Sequence, residues 1–140
     1  MREEIYSKLE DLKRYVGFLK GYQNYGPDAL KNDHTLRGAV ERYFQLALEC
    51  TLNIGERIIS HQGFQKPDSY REVIQTLGEE GILPSKFASR FAPCMDFINT
   101  LVHQYAEVDM NQLYLYLQHR PEDFNIFARH VARYLEDQPS

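Results

Sequence analysis

An all-α fold, an up-and-down bundle of five or six helices, is what this sequence predicts, on three observations. Apolar residues recur at intervals of three and four along most of the 140 residues, the period of a helix with one buried face. Nowhere do several residues alternate cleanly between apolar and polar inside hairpin-type turns, as a half-buried strand would. The breaks between stripes are short, which suits long helices packed nearly antiparallel. With 43% hydrophobic and 26% charged residues, the chain makes a single domain over residues 1–140. It can bury about two-thirds of its unfolded surface without a metal or a disulfide.

Ile5, Leu9, Leu12, Val16 and Leu19 form the first stripe and predict a helix from about Arg2 to Tyr22, stopped by the loop Asn24-Tyr25-Gly26-Pro27-Asp28. Leu36, Val40, Tyr43, Ala47, Thr51, Ile54 and Ile58 form the second. Phe44, Leu48 and Cys50 widen it, so this helix should be long and buried on more than one side. Gly63 and Pro67 end it, and Ser69-Tyr70-Arg71-Glu72 reads as a capping box in which serine and glutamate each accept from the other's backbone N–H. A short helix with Tyr70, Val73, Ile74 and Leu77 inside follows, closing at Gly78 to Gly81.

From Pro84 the stripe resumes as Phe87 and Phe91, then Ile98, Leu101, Val102 and Tyr105, with a kink or break expected at Pro93. Asp109 can cap a helix carrying Met110, Leu113 and Leu117. A last helix begins at Pro121, with Glu122 and Asp123 in its first turn and Phe124, Phe127, Ala128, Val131 and Leu135 as its stripe.

Composition narrows the function. The 16 basic and 20 acidic residues give a net charge of −4, which argues against a broad electrostatic footprint for nucleic acid but allows a small local RNA site. No stretch approaches the roughly 18 apolar residues of a membrane span, and Met1-Arg2-Glu3-Glu4 lacks a signal peptide's apolar core. The expected location is cytoplasmic, where Cys50 and Cys94 are buried thiols. Ten tyrosines and eight phenylalanines exceed what the core needs, so some rings should serve an interface.

Among five histidines, none forms a His-Glu-x-x-His pair or has a Cys-x-x-Cys companion, so no metal site is expected. His34, His61, His119 and His130 lie among polar neighbours near expected helix ends. His103 differs: Asn99 stands four residues earlier, on the same helical face, where its amide can fix the imidazole's orientation and tautomer. Tyr105 joins the pair in one cleft if the helix frays at Ala106 to Val108. The alternative is a hydrogen-bonded histidine at the core's edge beside a packing tyrosine.

The run Phe97-Ile98-Asn99-Thr100-Leu101-Val102-His103-Gln104-Tyr105-Ala106-Glu107-Val108-Asp109 resembles the signature of the HEPN superfamily, and more closely the HepT toxins, the DUF86 family. The likeness extends to the Leu36 to Ile58 helix, Pro67-Asp68-Ser69-Tyr70 and Gly81-Ile82-Leu83-Pro84, covering nearly the whole chain. It implies a homodimeric helical bundle acting, without metal or cofactor, as an endoribonuclease on RNA such as transfer RNA. It also implies a toxin-antitoxin pair, the partner being a minimal nucleotidyltransferase (MNT). The family motif is Arg, four to six residues, His, one residue, Tyr. His103 and Tyr105 match its end, whereas the allowed arginine positions hold Asp96, Phe97 and Ile98.

What the resemblance implies of the site follows. His103 is the catalytic acid or base, Tyr105 donates to a phosphate oxygen or positions the ribose, and Asn99 orients His103. Tyr105 is also the acceptor to which the nucleotidyltransferase attaches AMP, blocking RNA by bulk and like charge. The missing arginine removes the natural stabiliser of the phosphorane, and losing such a donor costs on the order of a hundred- to a thousand-fold in rate. Arg90, 13 residues before His103, comes closer only through the kink at Pro93 or from a partner subunit. The rival reading is a non-catalytic module that docks a nucleotidyltransferase and presents Tyr105 to it.

Overall fold

The computed structural model describes residues 1–103 and 108–138, and in them every regular element is a helix. They are α1 (Arg2–Gly21), α2 (Pro27–Asn32), α3 (His34–Gln62), α4 (Tyr70–Glu79), α5 (Ser85–Phe91), a 3₁₀ turn (Ala92–Asp96), α6 (Phe97–His103) and α7 (Met110–Asp137).

The first stripe is the buried face of α1: Ile5, Leu9, Leu12, Val16 and Leu19 all lie inside, against α3 and α7. Burying each such side chain is worth about 1.5–3 kcal/mol. Arg2 ties the chain ends together, its Nη2 donating to the carbonyls of Leu135 at 2.8 Å and Gln138 at 2.6 Å. Those carbonyls sit at the end of α7, where the Leu135 carbonyl also accepts from Gln138 N–H at 3.3 Å.

Two short elements depart from the sequence reading. The segment expected only to stop α1 contains α2, with Pro27 in its first turn, where a missing N–H removes no helical bond. Ser69 Oγ accepts from Glu72 N–H at 3.3 Å, but the Glu72 carboxylate accepts from Asp68 N–H at 2.7 Å rather than from Ser69. The capping box is therefore displaced by one residue.

The second stripe becomes α3, started by Asp33, whose side chain accepts from Thr35 and Leu36 N–H at 3.1 Å, and ended by Gly63 at φ 73°. Only glycine takes that left-handed cap without strain. Val73, Ile74 and Leu77 of α4 are buried, whereas Tyr70, expected inside, is 42% exposed. Helices α3 and α4 approach closely at Gly55, where a Cβ would meet Val73 Cγ1 at 2.5 Å. That contact sets the distance between the elements that frame the candidate site.

Pro93 breaks the next stripe as expected, and α5 passes through the 3₁₀ turn into α6. Val102, expected in the core, is 42% exposed. The final pair of expected helices is one helix: α7 runs through Pro121, which is buried inside it. Pro121 has no N–H for the Leu117 carbonyl four residues earlier. Gln23 takes that place, its Nε2 donating to the Leu117 carbonyl at 2.9 Å, while Gln118 Nε2 donates to the Gln23 carbonyl at 2.7 Å. His119 and His130 consequently lie within a helix rather than near its ends, and His130 is half-buried beside Phe87.

Candidate functional site

Helix α6 is oriented by its apolar side. Phe97 packs edge-on against Tyr116 at 4.6 Å and Phe44 at 6.2 Å, and Ile98 and Leu101 are buried beside it. Anchoring that side turns Asn99, Val102 and His103 outward, where all three are exposed. The two polar side chains that the sequence singled out on one helical face line one open groove of about 330 Å³.

The opposite wall comes from α3, whose Glu49, Asn53 and Glu56 are spaced four and three residues apart and so share a helical side. Leu52, Ile98 and Val102 supply the apolar part of the lining, and Tyr70, the first residue of α4, lines it as well. Gln45 Nε2 donates to Glu49 Oε1 at 2.9 Å, fixing that carboxylate from one turn away. Polar breaks in the α3 stripe were the available signal for this wall. Tyr105 lies outside the described residues.

The groove's electrostatics are unusual for a phosphate site. Glu49 and Glu56 contribute carboxylates, and among the described residues no lysine or arginine lines it. Position 98 of the motif is an isoleucine with 5% exposure. Arg90 is no substitute: its Nη2 donates to Asp123 Oδ1 at 2.9 Å, on α7, and its guanidinium stands over the Phe87 ring at 5.2 Å. Among the described residues, no group of three or more His, Cys, Asp or Glu side chains is placed to hold a metal ion.

Chemically, the arrangement offers an imidazole with a neighbouring amide in a groove open to solvent. That is enough to move a proton to or from a bound hydroxyl. Both cysteines are buried away from such chemistry, and burial pushes the Cys50 thiol up to about 11 despite nearby Lys8.

Comparison with known proteins gives the chain its relatives. A family model described as ribonuclease HepT-like matches residues 5–131. The chain is 28% identical over 131 residues to the tRNA nuclease HepT of Aphanizomenon flos-aquae, covering 94% of this chain and 89% of that protein. It is 26% identical over 128 residues to the mRNA nuclease HepT of Shewanella oneidensis, covering 91% and 95%. In structure it resembles the tri-AMPylated HEPN toxin of Shewanella oneidensis solved in complex with an MNT antitoxin, with a TM-score of 0.85 at 23% identity over 95% of this chain and 99% of that one. YutE, a cytosolic protein of Bacillus subtilis, follows with a TM-score of 0.83 at 22% identity, covering 99% and 94%. With its model matched across nearly the whole sequence, this chain belongs to the HepT-like ribonuclease family.

Proposed function

We propose that this protein is the toxin of a toxin-antitoxin pair, a metal-independent endoribonuclease acting on RNA, with transfer RNA the first substrate to try. The observation that carries the reading is the pairing of Asn99 and His103 in one solvent-open groove, on a chain of the HepT-like family. His103 takes the proton of a ribose 2′-hydroxyl. The 2′-oxygen attacks the adjacent phosphorus, and the bond to the 5′-oxygen breaks as that oxygen is protonated. The products are a 2′,3′-cyclic phosphate and a 5′-hydroxyl. Asn99 holds the imidazole in one tautomer, and Tyr105 donates to a phosphate oxygen.

The active species is a homodimer in which two copies of this cluster face one cleft. The antitoxin is an MNT nucleotidyltransferase that attaches AMP to Tyr105. Relatives named as HepT nucleases support the ribonuclease reading, and an AMPylated toxin bound to an MNT antitoxin supports the antitoxin.

One observation favours a second reading, a non-catalytic module that docks the nucleotidyltransferase: among the described residues the groove is lined by the carboxylates of Glu49 and Glu56 and by no lysine or arginine. Transfer RNA incubated with the wild-type protein and with His103→Ala separates the two. Cleavage by the first and not by the second is expected. No cleavage by either, together with AMP on Tyr105 in the intact mass after co-expression with the nucleotidyltransferase, would leave only the module.

A further inference from the structure

Cleavage beside the carboxylates of Glu49 and Glu56 requires that RNA be held there by positive charge from somewhere in the chain. Going back from His103 along its own side, Asn99 stands four residues earlier and Asp96 three before that. The 3₁₀ turn that holds Asp96 runs into α6 through Phe97 in right-handed helical conformation. Asp96, Asn99 and His103 are all exposed and form a row about 10 Å long at a helical rise of 1.5 Å per residue.

At the far end of that row sits a guanidinium. Arg71 Nε donates to Asp96 Oδ2 at 2.7 Å, with the two side chains 48% and 50% exposed. Arg71 follows Tyr70, which lines the groove, on a helix pinned by Val73, Ile74 and Leu77. The Arg71 backbone is thus fixed at the edge of the site while its side chain stays accessible. Three other arginines are engaged elsewhere: Arg90 and Arg120 with Asp123, and Arg57 with Glu4.

We infer that Arg71 binds the RNA strand that passes His103, exchanging Asp96 for the phosphate of a nucleotide flanking the one that reacts. The inference rests on the ribonuclease reading above. Water solvates both partners of an exposed ion pair and leaves it weakly held. A phosphate presents two oxygens to two guanidinium N–H donors and displaces the carboxylate. Asp96 keeps the guanidinium over the turn while no RNA is present and competes with the phosphate for it. With its partner Asp96 about 10 Å from His103 along the helix, Arg71 holds the strand rather than the reacting phosphorus, so it acts on KM and leaves kcat alone.

The test measures binding of a fluorescent transfer RNA by anisotropy across a salt series, in the His103→Ala background so that the RNA stays intact. Arg71→Gln is expected to weaken binding about five- to tenfold and to lower the slope of log affinity against log salt by about 0.7 to 1. Arg71→Lys should recover part of the loss. Asp96→Asn should tighten binding about two- to fivefold, an effect that vanishes when Arg71 is also Gln. Arg14→Gln, which removes a more exposed charge from α1, should change affinity less than about twofold. RNA bound with an unchanged slope in Arg71→Gln would overturn the assignment and leave the ribonuclease reading standing. No RNA binding by the parent would remove both.

Discussion

Position 98 decides how much positive charge the groove can hold. Ile98 is buried on the lining that also includes Glu49 and Glu56, so an arginine there would have carboxylates to pair with and a phosphate to meet. Ile98→Arg should raise the cleavage rate by roughly a hundred-fold, the worth of one preorganised donor, while lowering stability by about 1–3 kcal/mol through lost apolar burial. Single-turnover cleavage and thermal melting check both halves, and an unchanged rate would mean that position 98 is not the motif position. Glu41 gives a pH prediction. Burial raises its carboxyl above the ordinary 4.5, and Arg37, 3.4 Å away, offsets this only in part. Among the described residues its Oε2 has no hydrogen-bond partner. A carboxyl whose folded pKa is raised destabilises the fold when ionised, and the cost disappears as pH falls below the unfolded value. Glu41→Gln should therefore raise the melting temperature at pH 7, with the gain fading below about pH 4.5. A lower melting temperature at pH 7 would show that the Arg37 pair outweighs burial. At this scale Asn99 and His103 were legible because helical spacing alone makes them neighbours. Glu49, Asn53, Glu56 and Tyr70 were not, since only the packing of distant elements makes them the other wall.

Helix α7 shows where local signals mislead an element boundary. Proline reads as a start or a stop because its own helix loses a hydrogen bond, yet here the donor for the Leu117 carbonyl comes from Gln23, 94 residues away in sequence. Gln23→Ala should cost about 1–3 kcal/mol by leaving that partly buried carbonyl without a donor. In a Pro121→Ala background the helix supplies its own N–H, and the same change should cost less than about 0.5 kcal/mol. Urea unfolding of the four proteins measures the cycle, and equal costs in both backgrounds would mean that Gln23 does not substitute for the missing donor. Helix α2 escaped for a related reason: Gly26-Pro27-Asp28 is compatible with a loop and with a helix beginning at proline, and what favours the helix is Leu30, fully buried in the core.

Across the whole molecule the stripes of α1, α3, α4 and α7 converge on one core cluster, which is why the all-helical class could be read from periodicity. Charge is arranged on a coarser plan. Buried Asp123 accepts from Arg90 at 2.9 Å and from Arg120 at 3.0 Å, fastening α5 to α7 beneath the 3₁₀ turn. Arg71 follows the groove residue Tyr70 in sequence, and its side chain pairs with exposed Asp96. No described helix is long and apolar enough to cross a membrane. The acidic balance of the chain and the groove carboxylates of Glu49 and Glu56 place the demand for positive charge on a few specific residues. Specific residues can be deleted one at a time, and the proton-transferring one comes first. The measurement that bears most directly on the account is single-turnover cleavage of transfer RNA in EDTA by the wild-type protein and by His103→Ala. The account predicts cleavage by the wild type that leaves cyclic phosphate ends, slowed at least about a hundred-fold by the substitution. Equal cleavage by both proteins, or cleavage that EDTA abolishes, would contradict it.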